Sequence, residues 1–422
     1  MYWLVETDSQ LEKFASYNFK KALIYVEQCD IQSHAADTKI SFIYIKPLDY
    51  KKGFIFPINH TDCFKLDTNK VKSVLESFST LYCIDKKRIL HLLELKNLID
   101  FVTPPYSFDI EGTQSHSVYN RFYSDQKNLN NIIPIVKHYE KFESVFKKID
   151  LSKIDLESKY LDFYNNKVIP NYFKIEQASL GINKELFSYY FYKTDKNQVY
   201  TEYNLNTSTT RPSNKSRGVN FAALNKKNNV RKSFVPRNNF FIEIDIIAYH
   251  PTLISHMIGY EFKTDDIHQE FADMYKVSRE KAKQITFQQF YGKVFDKYKN
   301  LYYFKELLVL QDQIYDSYLS NGYYEDDISG YKFKQSNYGS LSKEKLFNYL
   351  LQCRETSTNV IILEKLHKIL ENYKSKIALT VYDSFLLDFE KKEKHLLNDI
   401  KEVFDNHRLK LSVKSGINYE FI

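Results

Sequence analysis

A chain of 422 residues, 43% of them apolar and 27% charged, is long enough for two or three domains with their own cores and has the make-up of a soluble globular protein. No apolar run approaches the length of a membrane span, and MYWLVETDSQ lacks the basic-then-apolar order of a secretory signal, so neither a membrane partner nor export is expected. The net charge of +7 is too mild to indicate nucleic-acid binding by itself, and Cys29, Cys63, Cys83 and Cys353 form no C-x-x-C pair, which argues against a zinc site or disulfide framework and for a reducing cytoplasm.

The 35 Tyr and 32 Phe accompany many Lys, Asn and Ile, the mark of AT-rich coding, so they are not counted as base-stacking platforms. ALIYVEQCD (22–30) and KISFIYIKP (39–47) read as two paired strands, and GFIFPINH (53–60) as a third. Helical patterns follow near 68–78 and 86–101. Strands first and helices after predict an α/β or α+β domain. KVIPNYFKIEQASLGINKE (167–185) reads as a helix leading into FYKTDKNQVYTEYNLNTSTTRPS (191–213). From Arg211 to Ile242 there are eight basic residues (Arg211, Lys215, Arg217, Lys226, Lys227, Arg231, Lys232, Arg237) and no acid. Such a stretch drives sequence-independent phosphate binding, or is a solvated loop.

Downstream, FFIEIDIIAYHPTLISHMIG (240–259) starts as a strand and continues as a helix, with Asp245 at the strand end. In SREKAKQITFQQFYG (278–292), Arg279, Lys283, Phe287 and Tyr291 recur every four residues before Gly292. On a helix they form one slanting line of roughly 18 Å, cations at the phosphate-attracting N-terminal end and aromatics at the other. The plain alternative is a surface helix with its cations in water and its rings in the core. YLSNGYYEDDISGYKF (318–333) reads as a hairpin. In FNYLLQCRETSTNVIILEKL (347–366), Asn348 and Gln352 share a helical face. LTVYDSFLLDF (379–389) carries Asp383. Two acids from separate strands, side by side, repel each other, and divalent cations resolve that cost.

The pattern R-x-x-x-K-x-x-x-F-x-x-x-Y-G, the ungapped match around Asp245 and the segment around Asp383 resemble motifs B, A and C of family-A DNA polymerases, in family order and spacing. The resemblance covers 165–422 well and 1–135 loosely. It implies two-metal phosphoryl transfer, with Asp245 and Asp383 holding two Mg²⁺ ions, Mn²⁺ being a substitute. Arg279, Lys283 and His268, the last in a D-I-H segment before motif B, would stabilise charge on the triphosphate. Phe287 would pack on sugar and base, and Tyr291 would stack on the template side. Arg211, in T-x-R-x-S, and Asn220 match groups that read the primer minor groove, and Asn348, Gln352 and Tyr382 match primer–template contacts. His250 replaces the Glu that excludes a ribose 2′-hydroxyl; His is bulky enough to do the same, yet it can also donate a hydrogen bond. Tyr382 and Ser384 replace the outer residues of H-D-E, and H-D-S is the reading of single-subunit RNA polymerases.

Residues 1–135 are similar in layout to the 3′–5′ exonuclease domain of the same family. The D-x-E motif reads Tyr25-Val26-Glu27 here, and the second-motif Asp falls near Arg88, with Asp85 close by and Asp109 a loose match. Without those acids two cations cannot be held, so a scaffold or DNA-handling surface without proofreading is expected. A shifted site on Glu27, Asp85 and Asp109 is the alternative. The family's long thumb hairpin is shortened or absent, unless 136–165 forms a small substitute, so a weak grip on duplex or a processivity or thumb-replacing accessory protein is implied.

The implied fold class is α/β (α+β): a right-hand polymerase fold, with an antiparallel-sheet palm, helical fingers and reduced thumb, behind an exonuclease-like, ribonuclease H-like α/β domain. The expected domains are 1–135 exonuclease-like, 136–210 reduced thumb or connector, 211–260 palm, 261–340 fingers and 341–422 palm. The expected activity is DNA-directed DNA polymerisation in replication, with primer–template DNA and dNTPs as partners, in the cytoplasm of a bacterial or phage-infected cell. The rival readings are a polymerase with relaxed sugar selectivity that makes RNA or primers, a catalytically silent DNA-binding scaffold, and an α/β nuclease with a helical appendage.

Overall fold

Apolar residues fill most positions of the N-terminal strands, because the sheet they form is buried on both faces. The computed structural model describes residues 3–30, 33–103, 133–214, 219–225 and 228–421, in two compact units, Met1–Phe173 and Lys174–Ile422. In the first, β1 (Lys21–Gln28) lies at the centre of a five-stranded sheet. β2 (Ile40–Pro47) pairs antiparallel with β1, and β3 (Phe54–Pro57) antiparallel with β2. On the other side β4 (Thr80–Cys83) and β5 (Leu98–Asp100) run parallel.

Period-two alternation sends Ala22, Ile24 and Val26 to one face, against Leu11 and Phe14 of α1 (Asp8–Ser16) and Val71 and Leu75 of α2 (Thr68–Glu76). After β4, α3 (Lys86–Leu92) follows, capped by Asp85. Leu23, Tyr25, Phe42 and Tyr44 take the other face, against Phe142, Val145 and Phe146 of α4 (Ile135–Phe146). Each such fully buried side chain contributes about 1.5–3 kcal/mol of transfer free energy. Glu143 of α4 is held by the Tyr44 hydroxyl and the Gly53 N–H, both at 2.7 Å, and by Lys46 at 3.1 Å.

One expectation differs here. The helical pattern over 86–101 ends at Leu92, and 98–100 is a strand. The Asn97 amide donates to the carbonyls of Leu75 and Phe78, which pins the chain where it turns into the sheet. Within 136–165, α4 turns its apolar face to the first unit's sheet.

The second unit is built on an antiparallel sheet in the order β7 (Lys376–Val381), β8 (Ser384–Phe389), β6 (Phe240–Ile246), β9 (Leu411–Gly416). After β6 come α5 (Tyr249–Ile258), α6 (Ile267–Tyr275), α7 (Arg279–Tyr291) and α8 (Tyr302–Asn321). A hairpin, Tyr323–Glu325 with Lys332–Lys334, leads to the long α9 (Lys343–Ile369), and α10 (Leu396–Asp405) precedes β9. α9 packs against α5, α7, α8 and α10. Phe271, Phe290, Tyr303 and Phe304 tie α6, α7 and α8 together through ring contacts of 5.2–6.2 Å. Among the described residues no helix is long and apolar enough to cross a membrane.

Candidate active site

β6 is apolar on its inner positions and ends in Asp245. Its register places Asp245 opposite Ser384 of β8 on one side and Ser412 of β9 on the other. β7 and β8 are joined by the two-residue turn Tyr382-Asp383, in which Tyr382 takes a left-handed φ of 58°. The Ile246 N–H donates to the Asp383 carbonyl at 2.9 Å, which holds the turn against the end of β6. Asp245 and Asp383 are thereby neighbours at one end of the sheet. Burial, then the charges of Asp245 and Glu355, push the Asp383 carboxyl up to about 6; its own backbone N–H and Arg211 act against this.

Past β6 the chain turns sharply through Ala248, at φ 50°, into α5. This brings His250 into the first helical turn, where it is buried. Its Nε2 lies 2.7 Å from Glu355 Oε2, and its Nδ1 lies 2.7 Å from the Tyr291 hydroxyl. The other Glu355 oxygen accepts from Arg211 Nε at 3.0 Å and pairs with its terminal nitrogen at 2.9 Å. The Arg211 guanidinium lies 3.8 Å from the centre of the Tyr382 ring. Asn359 donates to the Tyr382 carbonyl and accepts from the Tyr249 hydroxyl, both at 2.9 Å. A continuous polar chain thus runs from the turn holding Asp383 to the end of α7.

α7 buries Ala282, Ile285, Thr286, Gln289 and Phe290 and exposes Arg279, Lys283, Phe287 and Tyr291. The plain reading, with these rings in the core, does not hold: Phe287 and Tyr291 are 37% and 41% exposed and stack at 5.9 Å with 6° between planes. Gly292 follows the last helical residue at φ −123° and ψ −127°, a conformation in which a Cβ would meet the Gln288 carbonyl at 2.7 Å. Arg279 is held by Asp266 at 2.7 Å. His268 is buried, and its imidazole is pushed down by burial and by the nearby Lys283 and Arg279. It is therefore a neutral hydrogen-bonding group at neutral pH, and the positive charge beside it comes from Arg279 and Lys283.

Asn348 and Gln352 adjoin on α9: Gln352 Nε2 donates to Asn348 Oδ1 at 3.0 Å, and Thr209 donates to Gln352 Oε1 at 2.9 Å. Asn220 is exposed at the start of the short turn Phe221–Ala223, and no hydrogen bond among the described residues joins it to this network. Of the basic stretch, Lys215, Arg217, Lys226 and Lys227 lie outside the described residues. Arg231 packs 4.6 Å from the Tyr419 ring centre, and Arg237 donates to Ala178 and Ser179, so these two are committed within the second unit.

In the first unit Glu27 is fully buried on β1, and burial lifts its carboxyl to about 7 against the pull of Arg88. Arg88 lies 3.8 Å from both Glu27 and Asp85, and 4.8 Å over the Tyr25 ring. A guanidinium thus stands between two of the three candidate nuclease acids. The third, Asp109, lies outside the described residues.

Sequence reasoning missed Glu355, Asp266 and Asn359. A signal for two of them exists: Asn348, Gln352, Glu355 and Asn359 are spaced four, three and four apart, which puts four polar side chains on one face of α9.

No family model matches the chain, and no curated protein matches it. Among solved structures it is similar to the POL domain of Pol1 from M. smegmatis, determined in complex with DNA primer-template and dNTP. The similarity spans 99% of each chain with a TM-score of 0.69 and 12% sequence identity. The mixed α/β architecture, with its helices and antiparallel sheets, is the fold of that POL domain.

Proposed function

We propose that this chain is a DNA-directed DNA polymerase that adds deoxynucleotides to a primer 3′-hydroxyl in DNA replication. The observation that carries the reading is the pairing of Asp245 with Asp383 at one end of an antiparallel sheet, in a polymerase-domain fold. The donor set fits hard, oxygen-preferring cations: two neighbouring carboxylates, one with its proton affinity raised by burial and then by the other. Asp245 and Asp383 would hold two Mg²⁺ ions, with Mn²⁺ as a substitute, which supply an acidified 3′-hydroxyl and charge neutralisation at the leaving pyrophosphate.

The remaining residues bind and orient. Arg279 and Lys283 take the triphosphate, with His268 as a hydrogen-bonding neighbour. Phe287 and Tyr291 offer their stacked, exposed face to sugar and bases. Arg211, stacked on Tyr382, and the amides of Asn348 and Gln352 meet the primer–template, with Asn220 farther along the same segment. Residues 211–260 and 341–422 serve as palm and 261–340 as fingers. Arg88 lies 3.8 Å from both Glu27 and Asp85, which supports the reading that the first unit does no proofreading. With α4 spent on that unit, grip on duplex is weak or comes from an accessory partner.

The test is extension of a labelled DNA primer with Mg²⁺ and dNTPs by the parent, Asp245→Ala and Asp383→Ala. Extension by the parent alone, with DNA binding retained in all three, is expected. Extension by either variant removes that carboxylate from the mechanism, and DNA binding without extension by the parent favours a scaffold.

A further inference from the structure

Glu355 touches two of the residues given roles above and belongs to no sequence motif. It is 2% exposed in the middle of α9, where a carboxylate persists only with strong partners. We propose that Glu355 is a positioning residue that makes His250 a filter against ribose, by occupying the ring nitrogen that would otherwise accommodate a 2′-hydroxyl. The inference rests on the polymerase reading above.

An imidazole beside an incoming sugar has two opposed effects. Its bulk excludes a 2′-hydroxyl, while a free ring nitrogen attracts one. Here neither nitrogen is free. An ionised carboxylate only accepts, so Nε2 carries a proton and donates it to Glu355. Nδ1 then accepts from the Tyr291 hydroxyl or, in the imidazolium form, donates to it. In both forms the ring is held at two points, cannot turn without breaking a 2.7 Å contact, and offers a sugar only carbon edges. The second Glu355 oxygen anchors Arg211. One buried carboxylate therefore sets both the sugar filter and the Arg proposed to hold the primer end, through charge-assisted hydrogen bonds of the stronger kind.

The experiment measures kcat/KM for adding one dNTP and the matching rNTP to a DNA primer–template. The proteins are the parent, Glu355→Met, Glu355→Gln, His250→Ala and the double variant His250→Ala/Glu355→Met. Glu355→Met is expected to lower the deoxy-over-ribo ratio by roughly tenfold or more, the size of one lost charge-assisted hydrogen bond. Glu355→Gln, whose amide oxygen still accepts from Nε2, is expected to keep the ratio within about threefold. In the His250→Ala background the Glu355 change should no longer move the ratio. Partial unfolding lowers both rates together and leaves the ratio unchanged, so the ratio reports the filter in whatever fraction folds. An unmoved ratio in Glu355→Met, or an undiminished effect without His250, overturns the inference while leaving the polymerase reading intact. A parent that extends with neither sugar overturns the polymerase reading and this inference with it.

Discussion

Asp383→Asn should make the cation-free protein more stable while abolishing synthesis. The Asp383 carboxyl is raised from 3.8 to about 6 by burial and by Asp245 and Glu355. Between those values the native chain binds more protons than the unfolded one, so this group's contribution to stability is greatest below pH 4 and declines as pH rises through 6. At neutral pH the ionised carboxylate costs on the order of 3 kcal/mol in the absence of cations. Asn removes the charge but accepts hydrogen bonds less strongly, so a net gain of about 1–2 kcal/mol is expected. For a unit of this size that is a rise of roughly 2–8 °C in Tm. Thermal unfolding followed by circular dichroism at pH 7.5, with chelator and then with Mg²⁺, reads both halves. Mg²⁺ at a hundred times its Kd should stabilise the parent by about 2.7 kcal/mol and the variant by much less. A variant that melts below the parent in chelator, or gains as much from Mg²⁺, refutes the reasoning.

The first unit should not digest single-stranded DNA from its 3′ end with Mg²⁺; digestion that Glu27→Ala abolishes would show a working cation site beside Arg88. Arg88→Met leaves Glu27 buried without its nearby cation, and a loss of about 1–3 kcal/mol is expected in urea unfolding; an unchanged midpoint would mean that Glu27 is already protonated at the assay pH. Asp266→Asn keeps the helix cap on Gln269 but releases Arg279 from a half-exposed ion pair. The KM for dNTP should fall by roughly two- to fivefold with kcat unchanged, as for an exposed pair; a rise in KM would make Asp266 a guide that positions Arg279.

The parts of the fold legible in the sequence were those in which local pattern and tertiary role agree. The strand–helix switch at 240–259 and the hairpin read over 318–333 follow from apolar periodicity and turn residues; the first formed as read, and the hairpin formed over 323–334, with 318–321 ending α8. The line of Arg279, Lys283, Phe287 and Tyr291 was legible because a four-residue repeat puts the side chains on one face. Leu98–Asp100 was not, because apolar residues at helical spacing also suit a strand, and only the Asn97 anchor and the neighbouring β4 decide between them. Glu355 was hidden among Arg, Thr, Ser and Asn, a run that reads as solvated until α9 is surrounded by other helices. Arg88 showed as a missing acid; that it approaches Glu27 depends on the fold of α3 against β1.

The central claim is template-directed addition, and the most direct measurement offers each dNTP singly to the parent with Mg²⁺ on a labelled primer. Four templates differ only in the first unpaired base. The account predicts one-nucleotide extension with the complementary dNTP on each template. Addition that ignores the template base, or no addition to bound primer–template, would contradict it.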